Sequence, residues 1–156
     1  MVWNAAHIHL MVNHLPVFAP LLAIPLLLLS LWRKEEKAIF IGAILLLVAG
    51  SLGGITSVLS GEEAEEYVEG EPGVSMRALS EHEERAENAS LSLNILAIVA
   101  VASLFFTLKK PGVMKKEFWI YVLLAGTIAA SSVVGFAALK GGEIRHPEIR
   151  PPIEQG

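Results

Sequence analysis

Four long apolar stretches separated by short charged segments dominate the pattern of the chain. They run over about residues 5–32, 38–59, 91–108 and 118–139. Each is nearly free of charge for about 20 residues, the length that an α-helix needs to cross the hydrocarbon core of a bilayer. The pattern therefore predicts an all-α integral membrane protein, a four-transmembrane-helix bundle in which residues 1–156 form a single membrane domain.

The first stretch contains Pro16, Pro20 and Pro25, which would break a helix in water but are tolerated as kinks in a membrane bundle. A secretory signal peptide is the rival interpretation. However, the stretch begins without Lys or Arg, its apolar run is longer than a signal peptide needs, and it ends in a Trp-Arg-Lys sequence. Asn4 is suited to cap the helix that follows it. These features favour a true membrane span.

Charge is divided unevenly between the two ends of the predicted bundle. The loops after the first and third stretches hold seven Lys or Arg against three Glu, whereas the other end holds five against thirteen. These ends carry +4 and −8, in agreement with the overall charge of −4. Short basic loops stay in the cytoplasm, which predicts a protein of the cytoplasmic (inner) membrane with both termini extracytoplasmic.

The acidic end includes the segment 60–90, which joins the second and third stretches. All of its acids are Glu, since the chain contains no Asp, and Glu favours helix. We therefore expect a short acidic helical extension outside the membrane. The two halves of the chain share a helix–basic loop–helix layout, but no residue match marks an internal repeat.

All five histidines fall at this acidic end. His7, His9 and His14 lie in the first turns of the first helix, His82 precedes the third span and His146 follows the fourth. A polar side chain as deep as His14 is costly in a membrane unless it has a partner. Imidazoles and carboxylates on facing helices form the metal sites of helix bundles, so the clustering predicts a metal site.

Glutamates supply the remaining candidate ligands. Glu62 and Glu65 are spaced to lie on one helical face, and Glu83 adjoins His82. The chain has no cysteine, which excludes Cys-ligated zinc, iron–sulfur clusters and covalent haem. Oxygen and imidazole ligands suit iron, manganese or zinc. The predicted metal ligands are His7, His9, His14, Glu62, Glu65, His82, Glu83 and His146, with Asn13, Arg145 and Glu143 in supporting positions.

The orientation of the first helix is left open by the sequence. His7 and His14 share one helical face, whereas His9, Asn13 and Pro16 share another, and only one of these faces can point to the bundle axis.

The sequence also leaves undecided whether regular helix continues around Glu143, at the end of the fourth helix. Glu143 and His146 have the spacing of a Glu-x-x-His metal motif. Gly141, Gly142 and Pro147, however, lead us to expect an interruption of regular helix around Glu143.

Four motifs, at residues 7–16, 60–66, 82–83 and 141–146, resemble a bacterial four-span membrane family catalogued as domain of unknown function 2231. The resemblance spans nearly the whole chain, with the motifs in the same order and on the same side of the membrane. Some relatives of that family accompany cytochrome-type domains, which implies electron transfer or metal redox chemistry. The family has no established activity, so the resemblance supports the architecture and the site but implies no reaction.

The sequence thus predicts a membrane metal-binding protein with a mono- or dinuclear His/Glu site, in either a redox or a structural role, and leaves enzymatic activity open. One alternative is a b-type haem protein, in which His14 pairs with His82 or His146 across the bundle. Another is a non-catalytic assembly subunit whose partner docks on the acidic face, or a homo-oligomer. Nucleic-acid binding is disfavoured by the −8 end. A continuous transport path is not expected, because only small hydroxyls lie deeper in the membrane.

Overall fold

A computed structural model describes residues 4–69, 71–109 and 115–150. These residues form helices and no strands, and the elements are α1 (Ala5–Val12), α2 (Leu15–Trp32), α3 (Lys37–Glu65), α4 (Met76–Lys109), α5 (Lys116–Glu143) and a closing 3₁₀ turn (Pro147–Ile149). Four segments are long and apolar enough to cross a membrane, namely α1 with α2, α3, α4 and α5. The predicted all-α bundle of four spanning helices is confirmed.

The spans are arranged as a ring. The α3 helix packs against α1 and α2 on one side and against α4 on the other, and α5 closes the ring between α4 and α2. As a result, α1–α2 and α4 stand at diagonally opposite corners. Leu27, Phe40, Leu93 and Ile120 are almost wholly buried along the axis of the ring. Many other large apolar side chains point outward and are exposed, as a lipid-facing surface requires.

The helices are longer than the hydrocarbon core. At 1.5 Å per residue, the 29 residues of α3 and the 34 residues of α4 extend over about 44 and 51 Å, against about 30 Å for the core of a bilayer. The end of α3 and the first turns of α4 carry most of the acidic residues of the segment 60–90. The predicted helical extension is thus confirmed.

The expected interruption of regular helix around Glu143 is confirmed, because α5 ends there and does not reach His146. The α5 helix continues through Gly141 and Gly142 and ends at Glu143. Each glycine in a helix costs about 1 kcal/mol relative to alanine. Contacts made by neighbouring side chains at this end outweigh that cost.

The first span is interrupted, as its prolines predicted. The N–H of His7 donates to Asn4 Oδ1 at 3.0 Å, so Asn4 caps α1 as expected. Asn13 and His14 then separate α1 from α2. Pro16 has no N–H to continue the hydrogen-bond ladder, which explains the interruption at this point.

The connection between α3 and α4 is held to the end of α5. Gly73 adopts a φ of 83°, a left-handed conformation that favours glycine. Its carbonyl accepts a hydrogen bond from Arg150 Nη2 at 3.0 Å, and the same side chain donates from Nε to the carbonyl of Glu143 at 2.7 Å. The N–H of Ser75 donates to the carbonyl of Ile144 at 3.0 Å. These bonds fasten the acidic end of the bundle.

Candidate metal site at the acidic end of the bundle

A cavity of about 530 Å³ lies between the four spans at their acidic end. Most of its wall is apolar or small, with residues such as Val17, Gly54, Leu93 and Val134 contributed by α2, α3, α4 and α5. The volume falls within the range of about 300–1,000 Å³ that is typical of cofactor and ligand pockets. The fold therefore leaves room for a bound molecule beside the clustered histidines.

Eight of the eleven residues predicted for the site line this cavity. From α1, α3 and the break after α1 come His9, Asn13, His14, Glu62 and Glu65. From α4 and the end of α5 come His82, Glu83 and Arg145. His7, Glu143 and His146 do not belong to its wall.

His9 is the half-buried imidazole that α1 contributes to the cavity. Its Nδ1 lies 2.9 Å from the carbonyl oxygen of Ser57 on α3. The ring rests against Gly61, where an added Cβ would lie only 3.3 Å from the Cε1 and Nδ1 atoms of the imidazole. The glycine therefore gives the ring the space to reach the carbonyl.

His82 makes the same contact from the opposite corner of the bundle. Its Nδ1 lies 2.8 Å from the carbonyl oxygen of Ala137 on α5. The ring rests against Gly141, where an added Cβ would lie 3.0 Å from the Cε1 atom of the imidazole. In both places a histidine is bonded to a helix carbonyl, and the glycine four residues after that carbonyl touches the ring. We call this arrangement the imidazole–carbonyl–glycine unit.

The two units show a structural repeat that the sequence reading missed. One joins α1 to α3 in the first hairpin (α1–α3), and the other joins α4 to α5 in the second hairpin (α4–α5). A faint sequence signal accompanies them, since residues 57–63 and 137–143 share Leu, Gly and Glu at their third, fifth and seventh positions. This signal becomes meaningful only when the histidines are seen against the glycines.

The hydrogen bonds of His9 and His82 define the tautomer of both rings. A carbonyl oxygen only accepts hydrogen bonds, so Nδ1 is the donor in each ring. In the neutral ring Nε2 then keeps its lone pair, and neither Nε2 atom has a hydrogen-bond partner among the residues that the structure describes. Metal-ligating histidines are oriented by a bond of this kind from the other ring nitrogen. Both rings line the same cavity.

Two buried oxygen atoms in the cavity wall also lack partners. Asn13 Oδ1 and Ser57 Oγ have no hydrogen bond within the described part of the chain, and the Ser57 residue is only 9% exposed. Buried polar atoms in proteins are nearly always paired. We therefore expect water or a ligand in the cavity to pair with the Ser57 hydroxyl, beside the His9 contact.

The structure shows which face of the first helix points into the bundle. It is the face that carries His9, Asn13 and Pro16, since all three line the cavity. His14 joins them because the helix is interrupted after α1. Its side chain is exposed, and its ring stacks on Phe18 with a centroid distance of 6.2 Å and an interplanar angle of 10°. His7 is exposed and contacts Asn4, outside the cavity.

His146, the last of the five predicted histidines, is exposed on the turn after α5. Its Nδ1 lies 2.9 Å from Glu148 Oε1. Hydrogen bonds from its own backbone N–H and from His146 lower the pKa of the Glu148 carboxyl. The Glu-x-x-His spacing of Glu143 and His146 therefore does not bring the two side chains together.

Glu143 is buried in an ion-pair cluster between α4 and α5. Lys140 Nζ lies 2.7 Å from Glu143 Oε2 and 2.8 Å from Glu81 Oε2, and Arg77 pairs with Glu81 at 3.0 Å. The cluster fastens α5 to α4 beside the second unit. Glu143 therefore supports the helix end that positions His82 and is not itself aimed into the cavity.

No group of three or more His, Cys, Asp or Glu is assembled for an ion among the described residues. Of the carboxylates that line the cavity, Glu62 and Glu83 are exposed and Glu65 is half-buried. The site thus consists of two oriented imidazoles, an apolar cavity and a carboxylate-lined edge.

No protein-family model, curated protein or solved structure matches this chain. The resemblance to domain of unknown function 2231 stays a prediction.

Proposed function

We propose that this chain is an integral membrane protein that binds a metal centre in the cavity, with Nε2 of His9 and of His82 as protein ligands. The observation that carries the proposal is the repeated imidazole–carbonyl–glycine unit. Two diagonally opposite helices each hold an imidazole whose Nδ1 is bonded to a carbonyl, which leaves Nε2 to bind a metal, and both rings line one cavity.

The carboxylates at the edge of the cavity favour a cation. Glu62, Glu65 and Glu83 line the same cavity as the two imidazoles, and their negative charge favours a bound cation over an anion. Asn13 and Arg145 line the same cavity, where they are placed to contact the ligands or the bound centre.

The proposal is tested by the metal content of the full-length protein, purified in mild detergent without chelator or metal-affinity tag. We expect a stoichiometric metal in the wild type and a loss of roughly tenfold or more in His9→Ala and in His82→Ala, since each removes a ligand. His146→Ala is the matched control, because it removes an imidazole outside the cavity and should retain the metal. A metal-free wild type after reconstitution, or full retention in both cavity variants, would overturn the proposal.

We also propose that the acidic end faces the extracytoplasmic side of the cytoplasmic membrane. The support is the basic character of the two loops at the other end, where Lys34 and Glu117 pair at 3.0 Å and Lys116 Nζ donates to the carbonyl of Lys34. An acidic outer face would receive a basic redox or assembly partner.

The natural absence of cysteine makes the orientation simple to test. Glu71→Cys and Glu35→Cys each place one thiol on an exposed position, at the acidic and the basic end respectively. With a membrane-impermeant maleimide we expect Glu71→Cys to be labelled in intact cells and Glu35→Cys only after lysis. The opposite labelling pattern would reverse the orientation.

A further inference from the structure

We infer that the metal centre is the iron of a b-type haem, held non-covalently between His9 and His82. The inference rests on the proposed function and names its cofactor. Its first support is the number of protein ligands. The described residues provide two oriented imidazoles but no assembled group of three or more ligands. A porphyrin supplies four in-plane nitrogens itself and needs the protein only for the axial positions.

The positions of the two imidazoles fit this role. They come from α1 and α4, at diagonally opposite corners of the ring of helices, so they approach the cavity from opposite sides. Sequence reasoning named His14 as the partner of His82 in a haem site. The structure favours His9, because His14 is exposed and stacked on Phe18, whereas His9 is held by the Ser57 carbonyl.

The cavity has the size and lining of a site for a flat apolar molecule. Its volume of about 530 Å³ is many times the roughly 30 Å³ share of one water molecule in the liquid, so a single hydrated ion would leave most of it unfilled. Gly54, Ala86, Ala89 and Ala138 keep parts of the wall free of long side chains. Apolar walls with a few directed polar groups are typical of cofactor pockets.

Charged side chains of both signs also line the cavity and would interact with a bound haem. Arg145 lines the cavity at the end of α5 and would pair with a propionate. Glu62 and Glu83 also line the cavity, and their negative charge would favour the ferric over the ferrous state. A haem in these surroundings is therefore expected to be held more firmly in the oxidised form.

The test is a visible spectrum of the purified full-length chain, oxidised and then reduced with dithionite. If the chain purifies without pigment, the same spectra are recorded during titration with haemin. We expect a Soret band, the sharp α and β bands of six-coordinate low-spin haem on reduction, and about one acid-extractable haem per chain. His146→Ala should leave the spectrum unchanged.

Two substitutions at one ligand separate axial coordination from a merely structural role. His82→Ala should lose the low-spin bands or the haem. His82→Met replaces the imidazole by another axial ligand of haem iron, so it should retain haem with an altered spectrum and a raised reduction potential. A wild-type low-spin spectrum that persists in both His9→Ala and His82→Ala would overturn the assignment of these ligands.

The elemental analysis keeps this inference separate from the proposed function. Stoichiometric zinc, manganese or iron without a Soret band, and with no haemin uptake, overturns the haem inference and leaves the metal-binding proposal standing. Neither metal nor pigment, after reconstitution with both, overturns the two together.

Discussion

The first and second hairpins build the same contact by different routes. In the first hairpin His9 lies on the short helix α1, just before the interruption at Asn13 and His14. In the second hairpin His82 lies near the start of the continuous 34-residue helix α4, beside the ion pairs that Lys140 forms. Both nevertheless place an imidazole on a helix carbonyl and against a glycine.

The difference shows which part of the arrangement serves the site. Helix continuity and ion pairing differ between the hairpins, whereas the tautomer of the imidazole and its contact with glycine are the same. A feature that recurs in two different surroundings points to a requirement that both share. We therefore regard the imidazole–carbonyl–glycine unit as the element that the site requires, and the rest of each hairpin as its support.

The largest effect is expected when the glycine of either unit is replaced. Gly141→Ala and Gly61→Ala would put a methyl group 3.0 and 3.3 Å from the respective rings, so each imidazole must move by some tenths of an ångström and its hydrogen bond weakens. We expect metal affinity, measured by titration of the purified protein, to fall roughly tenfold in each variant, with the greater loss at Gly141.

Gly135→Ala is the matched control for the glycine variants. It lies on the same helix as Gly141, but an added Cβ there meets nothing within 4 Å. This variant should bind metal like the wild type. If only one of the two unit glycines proves sensitive, the hairpins are not equivalent and the site belongs to one of them.

A smaller effect, on stability, is expected from Lys140→Met. This change removes the cation that lies between Glu81 and Glu143 and leaves the Glu143 carboxylate, which is 5% exposed, without its partner. The melting temperature in detergent, followed by circular dichroism, should fall by several degrees. Arg33→Met removes an exposed ion pair at the other end of the bundle and should change it little.

Restoring the charge balance should reverse that loss. In the Lys140→Met background, Glu143→Gln neutralises the stranded carboxylate and should recover part of the melting temperature. An unchanged melting temperature in Lys140→Met itself would show that the cluster does not support the second hairpin, and the two hairpins would then be more alike than the structure indicates.

The smallest effect is expected from Ser57→Ala, which makes the first hairpin match Ala137 of the second. The Ser57 hydroxyl is buried and has no partner in the described part of the chain. In the metal-free protein its removal should change the free energy of unfolding by less than about 1 kcal/mol, because only water in the cavity is left to pair with it. Ser60→Ala, which removes a hydroxyl bonded to the carbonyl of Thr56 at 2.7 Å, should instead lower it. A clear loss in Ser57→Ala would reveal a partner for its hydroxyl.

The sequence by itself determined the features that depend on local composition. Four apolar stretches of spanning length predicted the four helices, Asn4 was recognised as a cap, and the Glu-rich segment predicted the helical extension. Clustering of histidines at one end identified the neighbourhood of the site. Each of these inferences needs only hydrophobicity, length or propensity along the chain, which a sequence displays directly.

Only the tertiary structure decided which of the clustered residues share the cavity. The helix rotation and the interruption after α1 place His9 and Asn13 inside and leave His7 outside. Pairing with Lys140 takes Glu143 out of the candidate ligands, despite its spacing from His146. The acceptors that orient His9 and His82 are backbone carbonyls, which every residue possesses. Such contacts leave almost no trace in a sequence, because the packing of helices far apart in the chain selects them.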